Sequence, residues 1–77
     1  MLHEKNKLDY GETAIVIRNA EKTYRPLELG FICGMTDIDT HEAALAYDCV
    51  GCSWLYTVEF LDGSSLQIPE KYLEKDK

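Results

Sequence analysis

Between Pro26 and Glu70 there is no lysine and no arginine, and the whole chain contains only two prolines and two histidines. The same stretch carries eight carboxylates: Glu28, Asp37, Asp39, Glu42, Asp48, Glu59, Asp62 and Glu70. A field of that sign repels phosphate backbones, so direct binding to DNA or RNA is not expected. No apolar run approaches the ~18 residues needed to span a bilayer. Met1-Leu2-His3-Glu4-Lys5 lacks the apolar stretch of a secretion signal. The expectation is a cytoplasmic protein with no membrane partner and with its thiols mostly reduced. Three cysteines are an odd count, which argues against a closed disulfide framework.

What is present describes one small folded domain. The 77 residues are 45% hydrophobic and 29% charged, too apolar for intrinsic disorder. A core of this size rarely supplies more than roughly 3–5 kcal/mol, so a staple or a partner is worth seeking. Most catalytic architectures place a cleft between larger rigid elements, and no enzyme is expected. The net charge is −6. The first 25 residues and the tail after Glu70 are close to balanced, so the excess lies in the centre. That segment either attracts a basic partner or is a solvated surface that aids solubility.

The chain reads as short strands joined by turns. Thr13-Ala14-Ile15-Val16-Ile17 is rich in β-formers, and Leu29-Gly30-Phe31-Ile32-Cys33-Gly34-Met35 has two glycines that suggest bends or close backbone approach. Trp54 to Leu61 is the strongest strand, with Trp54, Tyr56, Val58 and Phe60 on one apolar face. Asp62-Gly63 signals a two-residue hairpin turn into Ser65-Leu66-Gln67-Ile68. Pro69 ends that strand, and Glu70-Lys71-Tyr72-Leu73 reads as a short helical turn. Residues 36–48 form a long acidic connection, in which Asp39 or Thr40 caps a short helix over Glu42 to Tyr47. The expected fold is all-β: a small, partly open SH3-like barrel of about five antiparallel strands, with the acidic loop between the second and third. Residues 1–9, with a solvated His3, are expected to fray, and 74–77 to form a polar tail.

The order of Gly11-Glu12-Thr13-Ala14-Ile15-Val16-Ile17, then Leu29 to Asp37, Tyr56-Thr57-Val58-Glu59-Phe60 and the closing Ile68-Pro69-Glu70-Lys71-Tyr72-Leu73-Glu74, resembles a known pattern. It is similar to the SH3-like immunity proteins of bacterial polymorphic toxin systems, notably the immunity protein 31 family. The likeness covers roughly residues 10–74, and the insert at 37–53 with its cysteine pair is additional to the family pattern. It implies a non-catalytic inhibitor that binds and neutralises a cognate toxin. A basic toxin would meet the acidic residues Asp37, Asp39, Glu42 and Asp48, with Trp54 or Tyr56 as an aromatic anchor. The alternative for both aromatics is a place in the barrel core.

Cys49-Val50-Gly51-Cys52 is a CxxC pair, and Cys33 and His41 precede it in the spacing C-x7-H-x7-C-x2-C. Three readings remain open: a Cys3His zinc site that staples the loop, a redox-active or disulfide pair, and no special chemistry. The strand–helix–strand setting of a thioredoxin-type pair is missing. His41 beside Glu42 has no evident nucleophile to serve, and Asp37 and Asp39 do not complete a calcium loop. No cofactor is expected. Two rivals to the immunity reading stand: an SH3-like adaptor for an extended peptide, and a zinc-stapled subunit of a larger assembly.

Overall fold

The computed structural model describes residues 7–76, so His3 lies outside the described residues. Within the described residues five strands form: β1 (Thr13–Val16), β2 (Leu29–Asp37), β3 (Trp54–Phe60), β4 (Ser65–Pro69) and β5 (Leu73–Lys75). One short helix, α1 (His41–Ala46), separates β2 from β3, and 3-10 turns span Lys22–Tyr24 and Glu70–Tyr72. The strands make one antiparallel sheet in the order β4-β3-β2-β1-β5.

That order, combined with the chain connection, forces the sheet to roll. β4 and β5 are its opposite edges, and in a flat sheet of this order they would lie about 19 Å apart. Only the three residues Glu70–Tyr72 join them, and a 3-10 turn advances about 2 Å per residue. The edges must therefore approach each other. Their side chains do so: Ile68 of β4 and Leu73 of β5 share one core with Ile32 of the central strand. The rest of that core is Leu8, Ala14, Val16, Ala20, Tyr56, Val58 and Phe60.

Period-two patterning places this core as the sequence indicates. On β3, Tyr56, Val58 and Phe60 are buried while Glu59 is exposed. Gly30 is needed where β2 crosses β3, because a Cβ there would overlap Val58 Cγ1 and lie 2.9 Å from the Glu59 carbonyl oxygen. A bulge between Ile32 and Gly34 makes Cys33 the extra residue of β2.

Three details differ from expectation. The β3–β4 hairpin turns through Leu61-Asp62-Gly63 rather than two residues: Gly63 N donates to Phe60 O at 3.0 Å, and Phe60 N to Ser64 O at 2.8 Å. Asp62 accepts from Ser64 N and Oγ, which closes the turn around Gly63 at φ 87°. Secondly, residues 7–9 do not fray. Leu8 is buried in the core, and Lys7 N donates to Glu70 Oε2 at 2.9 Å. Finally, Glu74 and Lys75 are not a free tail, since they pair with Ile15 and Ala14 as part of β5. In both terminal segments backbone hydrogen bonding outweighs the polar composition.

Candidate functional site

The connection from 38 to 53 is a folded excursion with its own small core. Leu55 is on the outer face of β3, opposite the main core, and packs with Ile38 and Cys49. Ala43 and Ala44 of α1 and Cys52 close over them. Thr40 caps α1, accepting from Ala43 N at 3.0 Å, so of the two capping candidates it is the threonine that serves. Across the excursion's base, Lys71 Nζ donates to Val50 O at 3.0 Å, and Tyr72 Oη donates to Asp48 Oδ2 at 3.1 Å.

The acidic residues of this region share an address but not a state. Asp37 ends β2 opposite Trp54, Asp39 lies in the loop before α1, and Glu42 is in its first turn; all three are exposed. Asp48 is turned back onto the 3-10 turn Glu70–Tyr72, 3.7 Å from Lys71 Nζ as well as bonded to Tyr72. Burial, followed by that bond to Asp48, raises the Tyr72 pKa above the usual phenol value. Asp48 therefore anchors the excursion and has less charge to offer a partner than Asp39 or Glu42.

The two aromatic candidates separate. Tyr56 is wholly buried and cannot touch a partner, which corrects its place among the contact residues. The reason is its even position on β3: the ring points inward, and the hydroxyl donates to Glu70 Oε2 at 2.6 Å while accepting from Leu8 N at 3.0 Å. Burial first, and then the Glu70 bond, hold the Tyr56 phenol far above its ordinary pKa. Trp54 is half-buried at the mouth of β3 and packs against the main core.

The four cysteine and histidine candidates do not converge. Cys33 is exposed at the bulge, with Sγ donating to Thr57 O at 3.5 Å. His41 is exposed at the start of α1. Cys49 and Cys52 are paired as a disulfide with their Cα atoms 5.5 Å apart. Among the described residues no three His, Cys, Asp or Glu side chains are grouped to hold a metal. The proposed zinc set is thus not assembled, because Cys33 is in the sheet and the pair is in the excursion. In the reduced state, burial and then the hydrogen bond with Cys52 push the Cys49 thiol up to about 12. A redox catalyst needs the opposite shift.

Sequence reasoning missed three features. Leu55 was legible as part of a strand but not as the floor of a second core. Tyr24, in the first 3-10 turn, stacks on Tyr72 in the second with ring centroids 5.2 Å apart. Arg25 ties the β1–β2 connection to the β3–β4 hairpin, reaching Glu28 at 2.6 Å and Asp62 at 3.0 Å. The odd positions Leu27, Leu29 and Phe31, apolar beside the inward Gly30 and Ile32, were the available sign that both faces of β2 carry apolar groups.

These observations define a small, mostly antiparallel all-β protein with a pinned acidic excursion. Among the described residues no helix is long and apolar enough to cross a membrane. No family model, no curated protein and no solved structure matches the chain.

Proposed function

We propose that this chain is an SH3-like binding protein without catalytic activity, an immunity protein that captures and neutralises a basic toxin in the cytoplasm. Support for the SH3-like reading comes from the rolled five-strand order and from the 3-10 turn that joins the two edge strands. The observation that carries the function is the excursion at 38–53. It is held by a core, a disulfide and two bonds to the barrel, so its acidic groups are preorganised. Preorganisation lowers the ordering cost of binding, and the exposed carboxylates of Asp37, Asp39 and Glu42 steer a cationic partner towards it. Trp54 at its base is the available aromatic anchor.

Capture followed by neutralisation tests this reading. The tagged chain is purified from its host, the bound protein identified by native mass spectrometry, and that protein expressed alone. Growth arrest that this chain relieves is the expected result. A bound protein with no toxicity, or none bound, removes the immunity reading. With the toxin in hand, Asp37→Lys with Asp39→Lys should slow association about tenfold at low salt and flatten its salt dependence. An unchanged rate removes this surface.

A second reading, an adaptor for an extended peptide, is favoured by the stacked Tyr24 and Tyr72 beside Lys71, whose Nζ lies 5.2 Å from the Tyr72 ring centre. A peptide array separates it from the first: a consensus of short extended ligands supports the adaptor, and an empty array leaves the folded-protein partner.

A further inference from the structure

At the hairpin end of the sheet, away from the excursion, an open cavity of about 300 Å3 is lined by Arg25, Leu27, Glu28, Leu29, Leu61 and Asp62. Its leucines are displayed to solvent, Leu27 at 55% and Leu61 at 77% exposure. Phe31, two residues beyond Leu29 on the same face of β2, adds to the patch and is 43% exposed. An apolar patch of this kind on so small a protein marks an interaction surface more often than scattered single side chains do.

The backbone at this cavity is strained in order to present it. Leu27 has φ 69° and Arg25 φ 61°, a region where a Cβ is disfavoured. Leu27 N donates to Val16 O at 2.8 Å, which locks the bend with its side chain outward. The Arg25 guanidinium fixes the opposite wall by bonds to Ser64 Oγ at 2.5 Å, Asp62 Oδ2 at 3.0 Å and Glu28 Oε1 at 2.6 Å, and it lies 4.1 Å from the Phe60 ring centre. These contacts build a cavity whose shape exists before any partner arrives.

We propose that this cavity docks a single apolar side chain of a partner protein, presented on a segment with lysine or arginine on both sides. Charge selects the flanks. One arginine serves two rim carboxylates, Glu28 and Asp62, and Glu59 is directly opposite Phe31 on β3, so the rim is net negative. The same arithmetic disfavours a second copy of this chain, which would bring the identical carboxylates face to face. Size selects the insert. The volume is at the floor of the range for enclosed small-molecule sites, which suits one protruding side chain. The inference stands apart from the acidic excursion and holds whether or not the partner is a toxin.

The test is an NMR titration of the 15N-labelled 77-residue chain with the capped peptide Lys-Lys-Leu-Lys-Lys. Two controls replace the leucine by serine or the lysines by glutamate. Amide shifts should concentrate at residues 25–31 and 61–62, and each control should bind about tenfold more weakly. Leu27→Gly relieves the left-handed strain, so it should fold at least as well as the parent yet bind the peptide about tenfold more weakly. Leu61→Ser, on the exposed hairpin, should weaken binding in the same direction. Absence of shifts at millimolar peptide overturns the proposal. So do shifts centred elsewhere, equal binding by either control, unchanged binding by both variants, or a dimer in sedimentation that Leu27→Gly or Leu61→Ser dissociates.

Discussion

The described residues form two cores, and they are sealed by different means. The main core lies inside the rolled sheet, draws on all five strands and is locked at its base by the Tyr56–Glu70 bond and the docked Leu8. The second core has three buried residues, Ile38, Cys49 and Leu55, under a six-residue helix and a disulfide that spans three positions. One leucine in each makes the comparison concrete: Leu73 and Leu55 are both essentially inaccessible. The first is surrounded by sheet that cannot collapse. The second is covered by a short excursion that can. Stability is therefore concentrated in the sheet, and the acidic surface sits on a cover with a lower opening energy.

Truncating those two leucines should separate the cores energetically. Leu73→Ala is expected to cost about 4 kcal/mol, close to the whole stability of a domain this size, and to unfold the chain globally. Leu55→Ala should cost about 2 kcal/mol, because the cover settles into part of the space. Its loss should appear as faster amide exchange confined to 38–53. Equal costs by urea denaturation, or global exchange in Leu55→Ala, would show that the two cores are one cooperative unit.

A smaller change sharpens the picture of the main core. Tyr56→Phe keeps the ring but leaves the buried Glu70 carboxylate and Leu8 N without the hydroxyl between them. That should cost about 2 kcal/mol. If the 7–10 segment is docked by this bond, its amides should lose protection before the sheet does. Retained protection there at full stability would mean that Leu8 packing and the Lys7 bonds to Glu70 and Leu73 hold the segment without it.

The sequence made the main core legible and the cover only partly so, for physical reasons. On β3 the alternation of Trp54, Tyr56, Val58 and Phe60 with Thr57 and Glu59 points one face inward, and the structure has that face in the core. Leu55 interrupts that alternation as an apolar residue at an odd position, yet its burial depends on Ile38 and Cys49, which no period-two rule connects to it. Thr40 and α1 were readable because capping is local. The separation of Cys33 from Cys49 and Cys52 was not, because C-x7-H-x7-C-x2-C records distance along the chain and not through space. Tyr56 shows the same limit from the other side: its alternation placed it inside, while its aromatic type suggested an interface.

Acid should reveal which seams of the sheet are electrostatic, with a smaller effect than any core substitution. Hydrogen bonds from Ser64, and then from Arg25, hold the Asp62 carboxyl well below the usual range, and Lys75, followed by Asp9 N, lowers that of Glu12. Both folded pKa values lie below their unfolded counterparts near about 4. The stability they contribute is thus fully present above that pH and is lost as pH falls through the folded values. Urea midpoints should be level from pH 7 to 5 and decline below 4. The seams that loosen should be the β3–β4 hairpin, held through Arg25, and the β1–β5 edge, held by the Lys75–Glu12 pair at 2.6 Å. Asp62→Asn with Glu12→Gln should lower the plateau slightly and flatten the acid limb. A limb as steep as the parent's would place the acid-sensitive groups elsewhere. Because Glu12 directly precedes β1 and Asp62 lies in the β3–β4 turn, such a result would move the electrostatic weakness of the fold away from the sheet's borders and towards the acidic cover.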